Sequence, residues 1–204
     1  LPFSWKAVGV DIRGRSTSLK INYRTSHQIR GQADRLLGLE VSDVDGNSEQ
    51  RSGTISLFNG PPPSIFLADS LEGETAAVAE WLQARTREGI TPQEIGVFVR
   101  SDEELARAKL AVAAAGLSLK HLTVTTMHLA KGLEFRAVVV MACDDEIIPS
   151  QQRIQTVADD ADLEEVYNTE RHLLYVACTR ARDQLLLTGV APGSEFLDDL
   201  QGAR

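Results

Sequence analysis

The sequence predicts an α/β fold, a mostly parallel sheet with helices on both faces. Three observations lead there. Strand and helix signals alternate along most of the chain, which implies βαβ units. Two short runs, Ile95 to Val99 and Ala137 to Ala142 (Ala-Val-Val-Val-Met-Ala), are almost continuously apolar, as strands buried on both faces must be. The 204 residues, 43% hydrophobic and 25% charged, suffice for one domain with a sizeable core.

The elements follow in order. Thr17 to Asn22 alternates, with Leu19 and Ile21 on one face, and reads as a short strand. Ser26 then caps a helix carrying Ile29, Ala33, Leu36 and Leu37, which Gly38 closes. Leu39 to Gly53 is polar and reads as an exposed loop. Thr54 to Phe58 is a strand, stopped by Gly60-Pro61-Pro62-Pro63 because proline cannot donate to a ladder. Ile65 to Ala68 is a strand, and Glu72 to Glu88 a helix closed by Gly89. After the Ile95 strand, Ser101-Asp102-Glu103-Glu104 is a capping box that opens a helix to Ala115, closed by Gly116. Leu122 to Thr125 is a strand followed by a tight turn. Beyond the Ala137 strand, Pro149 to Ala161 reads as an exposed loop, Leu163 to Ala181 as a helix, Gln184 to Thr188 as the last strand and Ser194 to Leu200 as a short helix.

Composition excludes several classes. No run of about 18 apolar residues exists, so a membrane-spanning helix is not expected. Leu1-Pro2-Phe3-Ser4-Trp5 has neither the charged nor the apolar region of a secretory signal, and the missing initiator Met suggests a piece of a longer chain. Cys143 and Cys178 form no CxxC and no metal-ligand spacing, which points to a reducing compartment, the cytoplasm. The net charge of −8 argues against uniform coating of nucleic acid. Charge is uneven, however. Lys6, Arg13, Arg15, Lys20, Arg24 and Arg30 face a single acid, Asp11, while nine acids and one base (Arg153) lie between Asp144 and Glu170.

The chain has no GxxxxGK[ST], no GxGxxG after a strand, no nucleophile elbow and no HExxH. It therefore acts on a nucleotide only by completing a site built mainly elsewhere. Three segments carry the polar chemistry. Asn22-Tyr23-Arg24-Thr25-Ser26 stands between a strand and a helix; its ring suits a base and its guanidinium suits phosphate oxygens, but taken alone the pentapeptide reads more readily as a packed Tyr and a helix-capping turn with a surface Arg. Thr125 to Phe135 is dense in hydroxyl, imidazole, ammonium and carboxylate groups, which are costly to bury without purpose. Its hydroxyls and His128 suit a phosphodiester and Glu134 a ribose, with a structural histidine as the alternative. Glu170 to Arg182 has an apolar side made by Leu173, Leu174, Val176 and Ala177, with Arg180 near the helix end, where a guanidinium can reach across a domain interface toward a transferring phosphoryl group. The alternative is a cation complementing the helix dipole, which is the expectation for Arg182.

Together the three segments resemble the C-terminal motor-domain motifs of UvrD/Rep-type superfamily-one DNA helicases. Asn22-Tyr23-Arg24 resembles motif IV (residues 22–26), Thr125 to Phe135 with Thr126, His128 and Lys131-Gly132-Leu133-Glu134-Phe135 resembles motif V, and Glu170 to Ala181 resembles motif VI. Gly96 to Ser101 resembles the strand between motifs IV and V. The resemblance implies a RecA-like fold over residues 1–204, as the second of two motor domains, in a cytoplasmic, nucleoid-associated protein. It implies ATP with Mg2+ as cofactor, the P-loop and Mg ligands coming from the N-terminal RecA-like domain, and single-stranded DNA as partner. By motif position, Tyr23 would stack on adenine, Arg24 and Arg180 would reach the γ-phosphate as catalytic groups, and Glu134 would touch the ribose. Thr126 and His128 would contact single-stranded DNA, with Arg100 a further candidate. Long family members carry an accessory domain before motif V. Here Gly116 reaches Thr123 in a handful of residues, with no room for that domain, so either the duplex-separating partner lies elsewhere or the motor is a compact translocase. Two other readings stand beside this one: a non-catalytic RecA-like module that binds DNA or protein, and the motor portion of a helicase–nuclease fusion.

Overall fold

The structure, a computed structural model, describes residues 21–22, 25–37, 40–42, 48–50, 55–56 and 60–201. Tyr23 and Arg24 lie outside the described residues, as do Thr17 to Lys20 and Gly38. In chain order the elements are β1 (Ile21–Asn22), α1 (His27–Ala33), β2 (Glu40–Ser42), β3 (Ser48–Gln50), β4 (Ile55–Ser56), β5 (Ser64–Ala68), α2 (Leu71–Arg87), β6 (Ile95–Val99), α3 (Leu105–Ala114), β7 (Thr123–Thr126), β8 (Phe135–Val140), α4 (Gln151–Ile154), α5 (Asp160–Cys178), β9 (Ala181–Val190) and α6 (Glu195–Gln201).

Among the described residues the principal sheet has the order β5-β9-β8-β6-β7, and every neighbouring pair is parallel. Successive strand side chains point to opposite faces, so each central strand feeds two cores. Val97, Val99, Ala137, Val139 and Leu186 share one core with Val78 and Leu82 of α2 and Ala108 and Val112 of α3. Phe98, Val138, Val140, Leu185 and Leu187 share the other with Ile29 of α1, Leu174 and Ala177 of α5, and Phe196 of α6. This two-sided cover is why β6 is buried at every position, and it matches the α/β fold read from the sequence. Packing here leaves no slack. A methyl group added at Gly96 would lie 2.8 Å from the Phe135 ring, which itself meets Phe98 edge-on at 5.9 Å between centroids.

Helix starts follow their caps. The Ser70 hydroxyl accepts from the Gly73 amide at 3.0 Å at the start of α2. The Ser101/Glu104 capping box is present but opens a 3-10 turn, Asp102–Glu104, that leads into α3. Gly89 and Gly116 follow α2 and α3 as expected.

Several boundaries differ from the sequence reading. Helix α1 ends at Ala33 and tightens into a 3-10 turn, Asp34–Leu36. The polar stretch read as a loop contains an antiparallel pair, β2 with β3, in the register Glu40↔Gln50; a polar sequence carries no apolar alternation to announce such pairing. The second expected loop holds α4 and the start of α5. Helix α5 begins at Asp160 because Asp159 caps it, accepting from the Asp162 amide at 2.9 Å. Its first turn is acidic and has no apolar stripe to read. At its other end, α5 gives way to β9 at Ala181, three residues before the expected strand, because Ala181 pairs with Phe135. No helix among the described residues is long and apolar enough to cross a membrane.

Candidate functional site

The sheet sorts the expected site residues into two groups. Arg100 directly follows β6, Thr126 ends β7 and His128 sits in the 3-10 turn Met127–Leu129. Because β6 and β7 are neighbours, these residues meet at the carboxyl edge of the sheet, where open α/β sheets place ligands. Glu134 directly precedes β8 and Arg180 directly precedes β9, and these neighbouring strands bring them to the amino edge. Residues 127–134 are the crossover that joins the two edges. Eight residues complete it, where a parallel connection commonly takes about a dozen or more. Gly132, at φ 82°, supplies its turn, a conformation that residues with a Cβ rarely adopt. The motif V string is thus a strap between two edges and not one compact turn.

At the carboxyl edge, Arg100 makes a two-pronged bond to Glu170. Its Nε lies 2.8 Å from Oε2 and its Nη2 2.6 Å from Oε1. Its remaining nitrogen, Nη1, lies 3.0 Å from His128 Nε2. Glu170 also accepts from the Ser150 amide at 3.1 Å and from Arg153 Nη1 at 3.0 Å. Glu170 falls on the buried stripe of α5, with Leu174, Ala177 and Cys178, and a carboxylate there must be paired to stay charged. Burial works to raise its pKa. The bonds and charge of Arg100, the Ser150 amide and Arg153 outweigh burial and hold the carboxyl below its ordinary range. Arg100, expected to face DNA, is only 7% exposed, and its guanidinium is engaged with Glu170 and His128. Thr126 is buried too, whereas His128 is exposed.

At the amino edge, Arg180 is half-buried. Its Nε donates to the Val176 carbonyl at 3.0 Å, Nη1 to the Leu133 carbonyl at 3.3 Å, and Nη2 to Thr179 Oγ1 at 3.4 Å. The first of these bonds caps the C-terminus of α5, where a cation complements the helix dipole. The end of the motif IV segment joins the same corner. Thr25 Oγ1 donates to the Thr179 carbonyl at 3.1 Å, and the Ser26 amide to the Arg182 carbonyl at 2.8 Å. Glu134 is exposed beside this corner. Arg182 does not serve the helix dipole as expected; it bonds both carboxylate oxygens of Asp183 at 2.9 Å.

Two buried acids were not given roles from the sequence. One is Glu170. The other is Glu74, fully buried on α2, which accepts from Arg107 Nε, from Thr188 Oγ1 at 2.7 Å and from the Ala142 amide at 3.0 Å. Arg107 also bonds both oxygens of Asp144 at 2.9 Å, so this cluster ties α2 and α3 to the ends of β8 and β9. A signal for both existed: Glu74 precedes Val78 and Leu82 at four-residue steps, and Glu170 precedes Leu174, so each acid falls on an apolar stripe. Among the described residues no group of His, Cys, Asp and Glu could hold a metal ion.

The family model described as UvrD-like helicase C-terminal domain matches residues 104–191. The ATP-dependent DNA helicase PcrA of Staphylococcus epidermidis is 42% identical over 66 residues, 32% of this chain and 8% of that protein. YjcD of Bacillus subtilis is 46% identical over 65 residues, 31% of this chain and 8% of that protein. The matched part of the chain thus spans less than a tenth of the length of these relatives. In overall fold the chain is similar to the C-terminal domain of a possible DNA helicase from Lactobacillus plantarum WCFS1, with a TM-score of 0.60 and 22% identity, covering 89% of this chain and 96% of that one. The segments Thr125 to Phe135 and Glu170 to Ala181, and the crossover between their edges, lie within residues 104–191, the part of the chain that is similar to the UvrD-like helicase C-terminal domain family.

Proposed function

We propose that residues 1–204 form the second RecA-like motor domain of an ATP-dependent DNA helicase or translocase. In this reading the amino edge completes an ATP site across an interdomain cleft, and the carboxyl edge contacts single-stranded DNA. The observation that carries it is the 127–134 crossover, held by α5 at both ends. His128 is tied to Glu170 through Arg100 at one edge, and Leu133 is bonded by Arg180 at the other. A motor has to couple a nucleotide edge to a DNA edge, and this strap links residues of both.

The amino edge has the polar groups for part of a nucleotide site: an exposed carboxylate at Glu134 that can accept from ribose hydroxyls, and the Arg180 guanidinium that can donate to phosphoryl oxygens. Tyr23 and Arg24 join this set by motif position. ATP with Mg2+ supplies the phosphoryl group when bound, with the P-loop and metal ligands belonging to the N-terminal RecA-like partner domain. On the DNA edge the exposed His128 meets the phosphodiester strand, with Thr126 buried behind it, and the protein works in the cytoplasm at the nucleoid.

A second reading, a non-catalytic module that binds DNA or protein, draws on the Arg180 bond to Val176: a guanidinium that only caps its own helix needs no nucleotide. Titration of a fluorescent single-stranded oligonucleotide separates the DNA-edge reading from an inert scaffold. The expected result is weak binding that falls steeply with salt and is reduced by His128→Ala. Binding absent at low ionic strength, or independent of salt, contradicts it.

A further inference from the structure

The contact between Arg100 and His128 settles which ring nitrogen carries the proton. A guanidinium donates through all its nitrogens and accepts at none. With Arg100 Nη1 at 3.0 Å, His128 Nε2 must therefore be the acceptor and bear no hydrogen. The ring proton then resides on Nδ1, and the ring is neutral. The Nδ1–H makes no hydrogen bond among the described residues, and the side chain is exposed.

Arg100 cannot swing away at will. Its other two nitrogens are fixed on the two oxygens of Glu170, which is 1% exposed and is itself oriented by the Ser150 amide and Arg153. A bidentate pair constrains the plane of the guanidinium as well as its position, so Nη1 is aimed at one point. Each residue in the series removes the rotational freedom of the next, ending at the imidazole.

We propose that Glu170 and Arg100 are positioning residues that lock His128 as the Nδ1–H tautomer and present that N–H outward as a neutral donor to an acceptor oxygen or nitrogen of single-stranded DNA. This rests on the reading of the carboxyl edge as the DNA edge. A neutral donor releases no counterion, so His128 adds affinity without adding to the salt dependence, which belongs to the lysine and arginine contacts. Arg100 therefore acts on DNA binding through His128 and not through its own charge.

The test is nitrogen-15 NMR of the histidine rings in the chain, with His128 assigned by comparison with His128→Ala, alongside DNA titrations at several salt concentrations. The expected result is an unprotonated Nε2 and a protonated Nδ1 on His128 in the unmodified chain, and a shift toward the Nε2–H form in Arg100→Met. Affinity should fall roughly 2- to 12-fold in either His128→Ala or Arg100→Met, as loss of one hydrogen bond predicts. The double substitution should add little, and the salt slope should be unchanged throughout. Glu170→Gln, which keeps the shape of the carboxylate, provides the same comparison should Arg100→Met fail to fold. A protonated Nε2 in the unmodified chain overturns the inference while leaving a DNA contact by His128 intact. A His128→Ala chain that binds DNA as well as the parent overturns the DNA edge, and with it the presenting role, while leaving the tautomer as assigned.

Discussion

Arg180 donates through Nη1 to the main-chain oxygen of Leu133 at 3.3 Å, and Phe135, two residues on, returns its amide to the Arg180 carbonyl at 2.9 Å. Motif VI is thereby fastened to the end of motif V at the amino edge. At the carboxyl edge the fastening passes through side chains instead, from Glu170 to Arg100 to His128. A displacement of α5 along its axis has to be accommodated at both contacts, and this gives the strap a mechanical reading.

Glu170 is the keystone of the carboxyl edge. Glu170→Ala should destabilise the chain by about 3 to 5 kcal/mol, because it strands the Arg100 charge in a buried site. Equilibrium denaturation in urea measures this. A loss below about 1 kcal/mol, the size of an exposed pair, contradicts the assignment.

The same residue predicts a pH dependence with a definite sign. Its folded pKa is lowered, so its contribution is complete above the unfolded carboxyl value of about 4.3 and disappears as pH falls through the folded value. Urea midpoints of the parent and Glu170→Gln should therefore converge in acid and stand furthest apart at neutral pH. A gap that widens in acid is the opposite of what is expected.

Gly96 tests the packing between strands. Gly96→Ala puts a methyl group against the Phe135 ring, which also packs edge-on against Phe98, and should cost about 1 to 3 kcal/mol through overpacking. Thermal melts decide. An unchanged or raised melting temperature means that the ring yields without strain.

The two thiols should be silent in the native chain. Cys143 and Cys178 are fully buried, and burial pushes the Cys143 thiol well up and the Cys178 thiol to about 12. Alkylation at neutral pH should be complete in denaturant and negligible without it. Rapid native labelling of either residue would show that its element opens readily.

The sequence announced what hydrophobicity controls. Strands β6 and β8 were visible as apolar runs, because a strand covered on both faces has no polar side to show. The pair β2 and β3 was invisible for the converse reason, since Val41 is its one apolar residue and no alternation marks it. The first turn of α5 was missed because its start depends on the Asp159 cap and not on an apolar stripe. The site was legible as strings of residues but not as a shape. Nothing local in 127–134 tells a turn from a crossover, and only the strand order separates His128 from Glu134. Likewise, Glu170 and Glu74 stand out as acids on apolar stripes, but their partners Arg100 and Arg107 lie 70 and 33 residues away along the chain.

The central claim, that the amino edge completes an ATP site, is tested most directly at Arg180 in a protein that joins this chain to a P-loop motor domain. A guanidinium aimed at charge developing on the γ-phosphoryl oxygens contributes mainly in the transition state. DNA-stimulated ATP turnover should fall by roughly 10³-fold or more in Arg180→Ala, with nucleotide affinity much less affected and poor rescue by Arg180→Lys. If kcat instead stays within a few-fold of the parent while the melting temperature drops, Arg180 does no more than cap α5 through Val176, and the account of the amino edge is wrong.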